Sequence, residues 1–131
     1  MKPDVLQAVQ EVRSQFSAST LEVKEDNQGG AYLMIDPVDM GSIYTKETRH
    51  TWLGFHIPFQ YPLADVYPHH VRRDLARVDG RPLGDGMAHS RYEGFGRDSV
   101  QLSRRSNHRD AGRETAVHKA LKVIEWARTR P

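Results

Sequence analysis

Seven histidines, seventeen carboxylates and no cysteine set the chemistry open to this chain of 131 residues. Without a thiol there is no disulfide, no thiolate metal site and no thiol nucleophile, which leaves hydroxyls, imidazoles and carboxylates. His69-His70 invites a metal reading, but neighbours on an extended strand point to opposite faces, so the pair cannot readily hold one ion. Asp79 and Asp85 fall in a glycine-rich stretch that fixes no separation between them, so a paired-carboxylate hydrolase lacks support. Gly84-Asp85-Gly86 and Gly94-Phe95-Gly96 lack the lysine and the strand-then-helix setting of a phosphate loop. His118 sits on the surface of an expected helix. Serine in a loop is by default a turn or capping group.

The elements that must carry any site follow from periodicity and punctuation. Pro3 suits a first helical turn, and Val5, Leu6, Val9, Val12 and Phe16 recur at helical spacing, predicting an amphipathic N-terminal helix. Leu21 to Lys24 alternates, Asp26-Asn27-Gln28-Gly29-Gly30 is turn chemistry, and Ala31 to Ile35 is apolar, so a hairpin is expected. Ser42 to Lys46 and residues 51 to 57 extend an antiparallel meander, with Val66 to Val71 as a further short strand. Asp79 to Gly96, with five glycines, is expected to be irregular, and Asp98 to Leu102 to be a short extended piece. Ala116, Val117, Ala120, Leu121, Val123, Ile124 and Ala127 share one broad face, predicting a C-terminal helix. The expected fold is therefore α+β: a helix, a four-stranded antiparallel meander, an irregular loop and a helix.

Length and composition hold this to one domain, residues 1–131. A chain of this size buries about two thirds of its unfolded surface. With 37% hydrophobic and 27% charged residues it reads as soluble and globular, without a membrane span or signal peptide. The absence of cysteine fits a reducing cytoplasm. A net charge of +2 is weak evidence for a polyanion partner despite clustered arginines at Arg72-Arg73, Arg91, Arg97, Arg104-Arg105, Arg109 and Arg113. The stacking motifs of nucleic-acid binders are missing, so nucleic acid is not the expected partner.

The strand over residues 51 to 57, carrying Trp52, Phe55 and Ile57, ends in Pro58-Phe59-Gln60-Tyr61-Pro62. Each proline removes a ladder donor and pushes the residue before it toward extended geometry, making a rigid elbow that carries an aromatic ring. This motif, at Pro58, Tyr61 and Pro62, together with the order of elements, resembles the ubiquitin-conjugating (E2) superfamily. The likeness is to its short bacterial forms, with one helix after the site. In that family a His-Pro-Asn tripeptide precedes the catalytic cysteine, commonly by ten residues from the histidine. Here His89-Ser90-Arg91 keeps the histidine only, and ten residues on stands Ser99.

The resemblance implies an E1-like adenylating enzyme and a ubiquitin-like protein as partners, no cofactor, no bound metal, and a setting such as bacterial antiphage defence. It assigns Ser99 as the nucleophile position, with Ser103 and Ser106 as rival hydroxyls. His89, His108, Asp98 and Asp110 are the available bases; Arg91, Arg104, Asn107 and backbone amides are the available oxyanion donors. Three functions are compatible with it. Ser99 could take the ubiquitin-like C-terminus as an oxyester; the chain could be a non-catalytic variant that scaffolds its partners; or serine could replace the cysteine of a thioester-forming enzyme by design.

Overall fold

The computed structural model describes residues 1–105, Asp110 and residues 113–131. Helix α1, Pro3–Gln15, begins with its proline in the first turn, where no amide donor is needed, and buries Val5, Ala8, Val9 and Val12 along one stripe. Helix α2, Ala116–Arg128, is capped by Thr115, whose hydroxyl accepts from the His118 amide at 3.1 Å. Its buried face is mostly alanine and valine, with Lys119 among them. Small side chains let this helix lie close to the sheet.

Between the helices run β1 (Thr20–Glu25), β2 (Ala31–Asp39), β3 (His50–Ile57), β4 (His69–Arg72), β5 (Met87–Tyr92) and β6 (Arg97–Leu102). They form one antiparallel sheet in the order β1-β2-β3-β4-β6-β5. The β1–β2 turn is held by the Asp26 carboxylate, which accepts from the Gln28 and Gly30 amides, while Asn27 and Gly29 take positive φ. The register of β2 on β3 shifts between Ile35 and Val38, around Pro37, which has no amide to offer the ladder.

The expected α+β architecture and both helices are present, but the sheet has six strands, not four. The glycine-rich stretch is not irregular throughout: its second half is β5, which pairs with β6 as a hairpin closed by the turn Glu93–Phe95 and Gly96, the latter at φ +60°. Ser42 to Lys46 is not a strand; it contributes a single bridge, Tyr44 to Arg77. The Tyr44 ring is buried there, and its hydroxyl donates to the Ala127 carbonyl at 2.8 Å, satisfying an acceptor at the helix terminus.

The inner face of the sheet packs on both helices. Leu33, Ile35, Leu53, Phe55, Val71, Val100 and Leu102 lie against the buried stripes of α1 and α2. The outer face carries a second, smaller cluster of Met34, Trp52 and Tyr92, flanked by Tyr32 and Phe95. This second cluster exists because the β5–β6 hairpin folds back over the sheet. Its turn reaches β1, where the Lys24 amine donates to the Gly94 carbonyl at 3.2 Å and lies 5.2 Å from the centre of the Phe95 ring.

Candidate functional site

Ser99 lies on β6 between two strands, opposite Arg72 of β4 and Ser90 of β5. Its side chain is on the outer face, and its exposure is 0%. The hydroxyl shares a hydrogen bond of 2.9 Å with Nδ1 of His70. Burial pushes the His70 imidazole down from its ordinary value to about 4, so the ring is neutral at pH 7. Tyr92 stacks on that imidazole with centroids 4.9 Å apart. The pair has the spacing of a hydroxyl and its base. What it lacks is room: an incoming carbonyl must come within about 3–3.5 Å of the oxygen, and Ser99 exposes no surface to meet it.

The other candidates do not join it. His89 pairs with Val100, not with Ser99, so its side chain projects to the opposite face. There it is exposed beside a cleft lined in part by Leu75, Ala76 and Arg77. Arg91, a possible oxyanion donor, is committed to Asp98 at 3.1 Å and Glu93 at 3.4 Å. Asp98 is therefore also occupied. Ser103 follows β6 and is half-buried; its hydroxyl accepts from the Gln101 amide at 3.1 Å, and the Gln101 carbonyl accepts from Ser90 at 3.2 Å. Asp110 lies 3.5 Å from Arg113. Ser106, Asn107 and His108 are outside the described residues.

His70 is the partner that sequence reasoning missed. Dismissing His69-His70 as a metal pair was geometrically sound, since the two imidazoles do face opposite ways, but the same alternation puts His70 on the face of Ser99. The signal lay in the parity of two strands, and it became readable only once β4 was known to pair with β6. His69 faces inward and is wholly buried, 5.0 Å from the Phe55 ring, and neither ring nitrogen has a hydrogen-bond partner among the described residues. Burial and then the nearby Lys119 cation push it down to about 3. Lys119 is itself 2% exposed and holds Asp65 at 2.8 Å.

The elbow is a structural joint. Lys2, at the start of α1, donates to the carbonyls of Phe59 at 2.6 Å and Tyr61 at 2.9 Å. The Tyr61 hydroxyl accepts from the amide of Ala116, the first residue of α2, at 3.1 Å. Tyr61 thus ties the end of β3 to both helices, while Leu63 just beyond it stands 81% exposed. Among the described residues no three histidine or carboxylate side chains converge as metal ligands, and no helix is long and apolar enough to cross a membrane.

Comparison of the chain with family models, with curated proteins and with solved structures finds no match in any of the three. Fold and site together define an α+β protein whose antiparallel sheet buries a serine–histidine contact on one face and two helices on the other.

Proposed function

We propose that this chain is a non-catalytic binding module of the ubiquitin-conjugating type, a scaffold that engages an E1-like enzyme or a ubiquitin-like protein in the cytoplasm without forming an ester. The carrying observation is the burial of Ser99: its hydroxyl is 0% exposed and tied to His70, while His89 faces away from it. A nucleophile that must meet the C-terminus of another protein needs an open approach. The likeness that points to these partners rests on Pro58, Tyr61 and Pro62, and of these Tyr61 ties the elbow to both helices. Joint loss of the family's cysteine and asparagine also fits a domain retained for binding.

One observation favours a second reading, in which Ser99 accepts the ubiquitin-like C-terminus as an oxyester. The 2.9 Å contact with a neutral imidazole is the arrangement a hydroxyl nucleophile requires. Incubation with candidate E1-like and ubiquitin-like partners and ATP separates the two. Binding with no covalent adduct is the outcome expected for the scaffold. A hydroxide-labile, reductant-resistant adduct that disappears in Ser99→Ala would replace it with the oxyester enzyme.

A further inference from the structure

Beyond Ser103 the chain forms a small cleft against α2 that shares no lining residue with the buried Ser99–His70 pair. Tyr67, Ser103, Arg104, Arg105 and Trp126 line it, and its volume is about 300 Å³. No carboxylate is among those residues. The Arg105 guanidinium lies 4.2 Å from the centre of the Tyr67 ring, and Arg130 lies 4.4 Å from that of Trp126. Arg72, Arg77, Arg91 and Arg113 each face an aspartate. Arg104 and Arg105 have no such partner among the described residues.

This combination of groups selects a ligand chemistry. A guanidinium stacked on a ring keeps its in-plane N–H donors free, and those donors match the oxygens of a phosphate. The Ser103 hydroxyl accepts from Gln101, so its own proton remains available to donate. Trp126 supplies a flat apolar wall that is held in place, because Gly86 packs against it so closely that an added Cβ would lie 2.9 Å from the indole. The volume stands at the lower end of small-molecule sites, roughly 300–1,000 Å³.

We propose that this cleft binds a small phosphate-bearing ligand with a flat ring, of the nucleoside monophosphate class. The phosphate meets Arg104, Arg105 and the Ser103 hydroxyl, and the ring lies along Trp126. The inference is independent of the scaffold reading and rests on different residues.

The test uses the two tryptophans of the whole chain. In nitrogen-15-labelled protein the indole N–H resonance absent from Trp126→Phe should shift saturably with adenosine 5′-monophosphate, while that of the buried Trp52 stays in place. Adenosine and inorganic phosphate, each tested alone, should bind at least about tenfold more weakly, as expected when one charge-assisted group of contacts is removed. Arg104→Gln/Arg105→Gln should weaken the nucleotide similarly with the rest of the spectrum unchanged. The proposal is overturned by no saturable shift at about 10 mM nucleotide, by equal affinity in the double variant, or by phosphate binding as tightly as nucleotide. A single-stranded oligonucleotide binding more than about tenfold tighter would replace the small ligand with a nucleic-acid interface.

Discussion

His69 and His70 are adjacent in sequence and occupy two different interiors, and this makes them the residues through which pH acts on the fold. Unfolded histidine titrates near 6.5, whereas burial holds His69 at about 3 and His70 at about 4. The native state therefore binds fewer protons than the unfolded state between those values. Stability is complete above pH 6.5 and falls as pH drops, by up to about 1.4 kcal/mol per unit for each histidine. Urea denaturation at pH 7.5 and pH 5 should show that loss. His69→Leu, which exchanges an unpartnered imidazole for an apolar group, should shrink it while costing little at pH 7.5; an unchanged pH slope would remove His69 from this account. Ser99→Ala tests the other interior. It leaves His70 Nδ1 buried without its partner, a cost of about 1–3 kcal/mol in the same measurement. A neutral substitution would mean that the 2.9 Å contact contributes nothing.

The elements differ in how far their sequences announce them. α1 and α2 were legible because their buried residues recur at helical spacing, and β1 to β3 because Leu21-Glu22-Val23-Lys24 alternates and because Trp52 to Ile57 is aromatic and branched. β5 was not. As an edge strand it has a partner on one side only, and its burial falls on Met87 and Tyr92, with Ala88, His89 and Arg91 exposed between them. Nothing in that pattern exceeds the glycine signal around it. Ser42 to Lys46 misled in the other direction, since Ile43, Tyr44 and Thr45 have strand chemistry and serve a turn that anchors Tyr44 under α2. The elbow was legible as a stop to β3, but its bond to α2 joins residues 55 apart and leaves no local trace. Tyr61→Phe should therefore cost about 0.5–1.5 kcal/mol and speed hydrogen exchange at the Ala116 amide selectively. Uniform exchange changes along the chain would argue that Tyr61 acts through bulk packing instead.

At the scale of the whole molecule, the question is why the outer sheet face, which has no helix over it among the described residues, hides Ser99, Trp52 and His70. The sheet covers itself. β5 stands at one edge, yet its last residue, Tyr92, lies over Gly54 of β3, and its hydroxyl hydrogen is shared between the carbonyls of Leu33 and Phe55 at 2.8 Å each. Only a glycine admits that ring, because a Cβ at residue 54 would collide with Tyr92. Gly94 in the hairpin turn meets Tyr32 in the same way, so two glycines on opposite partners let the hairpin close. This arrangement predicts a coupling that separate contacts would not produce. Gly54→Ala should cost about 1–3 kcal/mol by overpacking, and Tyr92→Leu should cost a comparable amount by losing the ring and its hydroxyl. Combined, they should cost less than their sum by 0.5 kcal/mol or more, on the order expected for residues in contact, because the alanine methyl no longer meets a ring. Tyr92→Leu alone should also redshift the emission of Trp52, read in a Trp126→Phe background, as the outer face admits water. Strict additivity, with Trp52 emission unmoved, would show that the hairpin rests on the sheet without closing it.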